Sequence, residues 1–159
     1  MRAVRVLVVD PVDPRLGVCL ELRRRVFSGE QGVPVEIESD GRDPECSHVM
    51  AVDARGQVLG TARLRVDVYG CAKAERVAVS ADARGLGVGR ALMEQLEELA
   101  ASRGHDTLRL GAQVAVSGFY TRLGYVPVGP RYVEAGIEHQ TMVRPLLADS
   151  RPGEGAVEG

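Results

Sequence analysis

The length and composition of the chain are those of a single globular domain. Its 159 residues are 45% hydrophobic and 26% charged, close to the globular average, which excludes disordered, collagen-like and disulfide-framework chains. Twenty Lys and Arg stand against 22 Asp and Glu, so a net charge of −2 lacks the basic excess of nucleic-acid binders. We therefore predict one soluble domain over residues 1–147 and a disordered, Gly-rich tail over residues 148–159.

The cysteine content and the hydrophobic pattern bear on the compartment. Cys19, Cys46 and Cys71 are widely spaced and form no Cys-x-x-Cys pair, which predicts neither a disulfide framework nor a metal site. The first residues are too few and too charged for a signal peptide, and no run of ~18 apolar residues predicts a membrane helix. We expect a cytoplasmic protein with no membrane or nucleic-acid partner.

The first half of the chain predicts strands and one helix. Apolar, β-branched residues predict a strand over Ala3–Val9, and Asp13-Pro14 predicts the start of a helix that ends near Phe27. Residues 28–45 have no steady period and predict a long loop with room for a short helix. Three strands are predicted next, at His48–Asp53, Val58–Asp67 and Ala74–Val79.

The second half alternates helices and strands. From Leu86 to Arg103-Gly104 the apolar residues follow a helical period, with Leu92 and Leu96 on one side and glutamates on the other. A strand, a short helix and two strands are predicted next, at Thr107–Leu110, Val116–Leu123, Tyr125–Val128 and Gln140–Val143. An antiparallel meander followed by alternating elements predicts the α/β class.

Three alternate glycines, Gly85, Gly87 and Gly89, open the long helix. Glycine in a helix costs about 0.8–1 kcal/mol relative to alanine, so the run requires an explanation. Bare N–H groups at a helix N-terminus bind anions, and Arg84 and Arg90 are placed to add contacts to a pyrophosphate. A tight structural turn is the alternative. The residues match neither a P-loop nor the G-x-G-x-x-G dinucleotide fingerprint.

Two motifs resemble those of the GNAT superfamily of acyl-CoA-dependent N-acetyltransferases. Arg84, Gly87 and Gly89 are similar to its R-x-x-G-x-G pyrophosphate motif, and Gln113–Tyr125 is similar to its N-x-x-A-x-x-F-Y-x-x-x-G-[FY] segment, with Gln113 in the asparagine position. Residues 30–34 and 139–142 further resemble an ElaA-like or YjcF-like bacterial subgroup. The resemblance implies a mixed, mostly antiparallel central sheet flanked by helices on both faces.

The resemblance also implies acetyl-CoA as co-substrate and no metal. In the family, backbone amides of the strand corresponding to Val77–Val79 hold the acyl carbonyl and the pantetheine, and the glycine turn holds the pyrophosphate. The cofactor-binding residues implied in this way are Val77, Ala78, Val79, Arg84, Gly85, Leu86, Gly87, Val88, Gly89, Arg90, Gln113 and Tyr120.

Direct acetyl transfer to a primary amine requires a base and an acid. Glu75 alternates in phase with Val77 and Val79, so partial burial predicts a raised pKa and a role as general base. A glutamate in solvent or paired with Arg76 is the alternative. The resemblance makes Tyr120 the general acid for the coenzyme A thiolate, with aromatic packing as the alternative. Cys71 as a covalent nucleophile is the weaker hypothesis.

The segment Glu30–Glu45 carries six acids and one base, a net charge of −5, and predicts attraction for a cationic amine on a small molecule or a peptide. A solvated loop explains the same charge. Contacts to the acceptor are predicted at Glu30, Gln31, His48 and His139. By analogy with other small folds we expect a homodimer. A non-catalytic acyl-CoA-binding regulatory module is the alternative function.

Overall fold

Two compact units form the part of the chain, residues 3–146, that the structure, a computed structural model, describes. The first unit contains the residues up to Arg65 together with Ala74–Leu96, and the second contains Val66–Lys73 and the residues from Glu97 onward. The predicted tail over residues 148–159 lies outside the described residues. The assignment of residues 1–147 to a single domain stays a prediction.

Eight strands and four α-helices form within residues 3–146. The strands are β1 (Arg5–Val9), β2 (Ser47–Val52), β3 (Val58–Val66), β4 (Ala72–Val79), β5 (Thr107–Gln113), β6 (Val126–Pro127), β7 (Tyr132–Glu134) and β8 (Ile137–Pro145). The helices are α1 (Leu16–Arg23), α2 (Val35–Glu38), α3 (Val88–Ser102) and α4 (Ser117–Arg122). A π-helical segment continues α1 over Arg24–Glu30, and 3-10 turns lie at Asp43–Glu45, Ala81–Ala83 and Val114–Val116.

The first unit orders its strands β1-β2-β3-β4, and β2 pairs antiparallel with both β1 and β3. Asp53 closes the β2–β3 turn because its carboxylate accepts the N–H groups of Arg55 and Gln57. The core lies where α1 covers the strands. Its buried apolar side chains form two clusters, one of Val9, Leu16, Cys19, Met50 and Val52, the other of Leu22, Val26 and Ala78. Full burial of one such leucine contributes about 1.5–3 kcal/mol.

Helix α3 approaches the strands closely at Gly60 on β3. A Cβ atom at this position would lie 2.9 Å from the carbonyl oxygen of Ala78 and 2.9 Å from Cγ1 of Val88. It would also lie 3.0 Å from Cδ1 of Leu92. The absent side chain therefore sets how close the first two turns of α3 come to β3 and β4.

The second unit is organised around β8, which pairs antiparallel with β5, β6 and β7. In this register Gln113 at the end of β5 lies opposite His139 on β8. Glu97 accepts hydrogen bonds from the Tyr125 hydroxyl at 2.8 Å and from Arg144 at 2.6 Å. These bonds tie the second half of α3 to the segments on either side of β6.

The predicted α/β class with mostly antiparallel strands is confirmed, while several element bounds differ. β5 extends to Gln113 rather than Leu110 and β8 begins at Ile137 rather than Gln140, because the two strands pair along their whole length. The α1 region continues past Phe27 as the π-helical segment, and the predicted long loop contains α2. The sequence analysis missed β7, which is three exposed residues without a period.

Candidate active site

Strand β4 carries a backbone distortion at Arg76. Its φ of 56° lies in the left-handed region, which costs a non-glycine residue roughly 1–2 kcal/mol. The Arg76 guanidinium compensates, because it donates to the carbonyl oxygens of Ile37 and Glu38 at 3.3 and 3.2 Å and to Asp40 at 3.3 Å. A left-handed residue inside a strand disrupts regular pairing. The distortion falls immediately before Val77–Val79, whose amides are predicted to hold the thioester.

The backbone conformation of the turn before α3 explains why glycines occupy it. Gly85 and Gly87 have φ values of 83° and 82°, and a Cβ at either would meet no neighbouring heavy atom within 4 Å. Packing therefore does not explain these glycines, whereas their left-handed backbone does, as either a tight structural turn or an anion-binding turn requires. Leu86 between them is half-exposed, and Gly89 lies in the first turn of α3. The 15-residue helix presents its unpaired N-terminal N–H groups at this turn.

The two arginines that flank the turn are engaged with the protein. Arg84 donates from Nε at 3.2 Å and from Nη2 at 3.1 Å to the carbonyl oxygen of Val79, at the end of β4. Its Nη2 also lies 2.7 Å from a carboxylate oxygen of Glu30. Arg90 pairs with Glu94 one turn further along α3, at 3.1 Å. Arg84 therefore braces the glycine turn against β4.

Glu30 and Gln31 lie at the end of the π-helical segment, where the Gln31 N–H donates to the Val26 carbonyl oxygen. Because Glu30 binds Arg84, the structure assigns it to the support of the glycine turn. Nothing in this geometry brings it to the predicted acceptor residue His48.

Four carboxylates and four guanidiniums form one ion-pair network in the first unit. Arg63 lies at its centre, 1% exposed, with Asp40, Asp43 and Glu75 at 2.6, 2.8 and 2.8 Å. Arg23, also 1% exposed, binds Glu38 and Asp43. The full set is Glu38, Asp40, Asp43, Glu75, Arg23, Arg63, Arg65 and Arg76.

The network corrects the predicted electrostatic attraction of the segment Glu30–Glu45. Of its six acids, Glu38, Asp40 and Asp43 are neutralised by arginines from α1, β3 and β4, and Glu30 binds Arg84. Only the exposed Glu36 and Glu45 carry charge with no ion pair among the described residues. The segment is therefore a clamped part of the fold, neither a solvated loop nor a strongly acidic surface.

Glu75 is held by two arginines of β3. Arg63 donates to its Oε1 at 2.8 Å, and Arg65 reaches Oε1 and Oε2 at 3.0 Å each. Burial acts to raise the pKa of Glu75, but the hydrogen bonds and charges of Arg65 and Arg63 outweigh it, so this pKa lies below its ordinary value. The predicted raised pKa is therefore wrong, and the ion-pair partner is not Arg76. Glu75 is ionised at neutral pH and is a weak base.

The sequence analysis missed Arg63 and Arg65 as functional residues. The one available signal was their spacing, because two arginines two positions apart on a strand share one face with each other. A charged pair on a face of an otherwise apolar strand indicates a buried partner charge.

His48 lies in the core of the first unit and is 1% exposed. Its Nε2 is 3.0 Å from the carbonyl oxygen of Asp43, so the ring fastens the segment that carries Asp43. Burial lowers the pKa of His48 and keeps the ring neutral. The predicted acceptor contact at His48 is not supported by this placement.

Tyr120 belongs to α4 in the second unit and is 8% exposed. Its ring meets those of Phe119 and Tyr125 edge-on, with centroids 4.9 and 5.9 Å apart. Burial raises the pKa of Tyr120 to about 12, so the hydroxyl keeps its proton at neutral pH. Aromatic packing holds the ring, which an acid role also requires, so the two interpretations are compatible.

Gln113 and His139 face each other across β5 and β8. Nδ1 of His139 lies 2.7 Å from the carbonyl oxygen of Ile137, and its half-buried ring stacks on Tyr132 with centroids 5.4 Å apart. Unlike His48, His139 is partly exposed to solvent, on a strand that is flanked at this position by β5 and β7.

The two buried cysteines, Cys19 and Cys46, are not activated nucleophiles of the kind a covalent route would need. Burial raises the pKa of both Cys19 and Cys46, and all three cysteines are free thiols. Cys71 is exposed in the turn between β3 and β4. Across residues 3–146, no helix is both long enough and apolar enough to cross a membrane.

A helix that begins at a left-handed glycine turn, beside a distorted strand of an α/β fold, is a candidate anion-binding site. A family model described as an acetyltransferase (GNAT) domain matches residues 25–146, and the chain belongs to this family. It is 37% identical over 139 residues to the uncharacterized N-acetyltransferase YjcF of Bacillus subtilis, a match that covers 86% of this chain and 97% of YjcF.

Solved structures carry the same fold. An acyl-CoA N-acyltransferase from Pseudomonas aeruginosa is 34% identical with a TM-score of 0.79, covering 89% of this chain and 99% of that one. Escherichia coli ElaA is 28% identical with a TM-score of 0.79 over the same shares. An aminoglycoside 6'-N-acetyltransferase complexed with coenzyme A shares the fold at 20% identity, with a TM-score of 0.71 over 90% of this chain and 97% of that one. The predicted similarity to the ElaA-like and YjcF-like subgroup is confirmed.

Proposed function

We propose that this protein is an acetyl-CoA-dependent N-acetyltransferase that moves the acetyl group directly to a primary amine of a small molecule or a peptide. The observation that carries the proposal is the pair of left-handed glycines, Gly85 and Gly87, at the start of α3. Their conformation exposes N–H groups to an anion without any packing reason for it. Membership of the GNAT family supports acyl transfer, and the bound coenzyme A of the aminoglycoside acetyltransferase supports the choice of cofactor.

In this proposal the cofactor is bound mainly by backbone. Residues 84–90 hold the pyrophosphate, and the amides of Val77–Val79, placed beyond the distortion at Arg76, hold the thioester carbonyl and the pantetheine. Gln113, at the end of β5, supplies a side-chain contact in the place where the family has asparagine. Arg84 donates to the Val79 carbonyl oxygen, and this bond fixes the distance between residues 84–90 and the amides of Val77–Val79.

The chemistry requires no covalent intermediate on the enzyme. The amine nitrogen attacks the thioester carbonyl carbon, a C–N bond forms, and the C–S bond breaks. Tyr120 donates its hydroxyl proton to the departing thiolate, which it can do because its pKa of about 12 keeps it protonated. Glu75, whose carboxylate is held by Arg63 and Arg65, is not assigned the proton of the amine and instead fastens β4 to β3.

The first experiment measures thiol release from acetyl-CoA by the purified protein across a panel of amines, with acetyl-CoA binding followed by calorimetry. Amine-dependent release establishes the transferase and begins to define the acceptor. Binding without release for any amine contradicts the proposal and supports the non-catalytic module. Absence of binding contradicts the assignment of the cofactor site.

Tyr120→Phe tests the acid. Phenylalanine keeps the edge-on ring contacts with Phe119 and Tyr125, so acetyl-CoA affinity is expected to stay within about twofold while kcat falls by about 10²–10⁴. The matched control is Tyr69→Phe, which removes a hydroxyl from a fully exposed turn residue. An unchanged kcat in Tyr120→Phe excludes this residue as the acid.

A further inference from the structure

We infer that the side chain of Arg76 is a positioning group for the acetyl end of the cofactor. Its guanidinium holds β4 in the distorted conformation from which the amides of Val77–Val79 reach the thioester. The inference rests on the proposed function and adds to it a side chain that touches no cofactor atom itself. All of the residues that carry it belong to the first unit.

The backbone conformation of Arg76 is unfavourable by itself. A φ of 56° is disfavoured for a non-glycine residue by a factor of roughly 5–30 in population. Within residues 3–146 the other non-glycine residue with a positive φ is Ala135, which lies in the turn between β7 and β8. Arg76 instead lies inside a strand. Such a conformation persists only where the surrounding structure imposes it.

Four hydrogen bonds tie the Arg76 guanidinium to the end of α2 and the residues after it. Nε donates to the carbonyl oxygen of Glu38 at 3.3 Å, and Nη2 donates to the same oxygen at 3.2 Å. Nη2 also donates to the carbonyl oxygen of Ile37 and to Oδ2 of Asp40, each at 3.3 Å. None of these bonds is short, so the position of the guanidinium depends on all four together.

The groups that accept these bonds are themselves fixed. Nε of Arg23 donates to Oε2 of Glu38 at 2.7 Å. Arg63 donates to both carboxylate oxygens of Asp40, at 3.1 and 2.6 Å. Both arginines are 1% exposed, and they belong to α1 and β3. The segment that binds Arg76 is therefore held in place by two other elements of the fold.

The ion-pair network and the distortion depend on each other. In a regular strand, successive side chains point to opposite faces of the sheet. Glu75 and Arg76 are successive residues, yet both reach the surroundings of Arg63. Glu75 binds Arg63 at 2.8 Å, and Arg76 shares Oδ2 of Asp40 with it. A return of β4 to regular geometry would turn one of these two side chains away from the network.

The proposed thioester-binding residues lie between two arginine contacts. Arg76 precedes Val77–Val79, and Arg84 donates to the Val79 carbonyl oxygen from the other end. Loss of the first contact releases β4 at its distorted residue and leaves the glycine turn fastened to Val79. Acetyl-CoA should then lose its contacts at the thioester and keep those at the pyrophosphate.

The test uses calorimetry with two probes, acetyl-CoA and ADP phosphorylated on its ribose, which carries the pyrophosphate of coenzyme A without pantetheine or thioester. Arg76→Ala should weaken acetyl-CoA binding by about tenfold and leave the binding of the ADP probe within about twofold. Arg76→Gly should bind acetyl-CoA at least about threefold more tightly than Arg76→Ala, because glycine adopts a left-handed backbone freely. Arg76→Lys should bind more weakly than Arg76→Gly although it keeps the charge, because one ammonium group cannot bridge these acceptors.

A merely structural role predicts the opposite order, because glycine inside a strand is normally more damaging than alanine. The matched control is Ala135→Gly, the same exchange at a left-handed residue of the β7–β8 turn, which should leave both affinities within about twofold. Should Arg76→Ala not fold, the comparison of Arg76→Lys with Arg76→Gly replaces it.

Two kinds of result would overturn these assignments, and they are distinct. If Arg76→Gly binds acetyl-CoA no better than Arg76→Ala and Arg76→Lys, or if both probes lose affinity equally, the inference is wrong while the transferase stands. If wild type does not bind acetyl-CoA, the proposed function itself fails.

Discussion

The glycine turn and the ion-pair network lie in the same unit and are built in opposite ways. The turn is exposed, consists of consecutive residues 84–90, and acts through its backbone. The network has two arginines that are 1% exposed and joins side chains up to 38 residues apart in sequence, Glu38 and Arg76. The turn can therefore be altered with local consequences. Any change in the network acts on α1, α2, β3 and β4 together.

The largest effect is expected from Arg63→Met, which keeps most of the side-chain stem and removes the charge. Asp40, Asp43 and Glu75 would each lose the buried guanidinium that they share. Breaking a buried ion pair in this way costs about 3–5 kcal/mol of unfolding free energy, measured by urea titration. A loss below about 1 kcal/mol would show that the network contributes little to stability.

Next in size is the loss of stability in acid. The pKa values of Asp40, Asp43 and Glu75 lie below their ordinary range, so these groups stabilise the fold above about pH 4 and stop doing so as they become protonated below it. The lowered pKa of His48 acts in the same direction. In the unfolded chain His48 binds a proton near pH 6.5, whereas in the folded chain its ring stays neutral at that pH. The free energy of unfolding therefore begins to decrease as the pH drops below about 6.5.

Thermal unfolding between pH 8 and pH 3 separates the two contributions. His48→Gln, which keeps a donor toward the Asp43 carbonyl oxygen, should remove the decline between about pH 6.5 and pH 5 and leave the steeper one near pH 4. A stability that is flat down to pH 3 would contradict both assignments.

Gly87→Asp, in the glycine turn, is expected to lower the free energy of unfolding less than Arg63→Met and to weaken acetyl-CoA binding specifically. The left-handed backbone costs roughly 1–2 kcal/mol, and the carboxylate beside the pyrophosphate should weaken acetyl-CoA binding by at least about tenfold in calorimetry. Gly56→Asp is the matched control. Its φ of 81° and open surroundings give the same backbone cost in the β2–β3 turn. Equal affinity in the two variants would contradict the assigned pyrophosphate site.

The smallest effect is expected from Arg90→Ala. The pair with Glu94 is exposed, with side chains 68% and 59% accessible, and such pairs contribute at most about 1 kcal/mol. Urea titration should find a change in unfolding free energy within about 0.5 kcal/mol, and added salt should make that change smaller still. A loss comparable to that of Arg63→Met would remove the distinction between the two regions.

The same contrast explains what the sequence could predict. The glycine turn, the turn between the strands predicted at His48–Asp53 and Val58–Asp67, and the period of α3 are local patterns, and each is found where it was predicted. The pKa of Glu75 was predicted with the wrong sign, because its direction depends on Arg63 and Arg65 twelve and ten residues away. The stacking of His139 on Tyr132 could not be predicted, because Tyr132 lies on β7, a strand too short to show a hydrophobic period.

The close approach at Gly60 has a consequence for how the protein tolerates change. The hydrogen atom in place of a side chain there sets the distance between α3, whose first amides are proposed to bind the pyrophosphate, and β4, whose amides are proposed to bind the thioester. One added methyl group would separate two halves of a binding surface whose own residues are unaltered. A substitution at Gly60 that leaves every proposed cofactor contact intact is therefore expected to weaken acetyl-CoA binding, because it increases the distance between α3 and the strands.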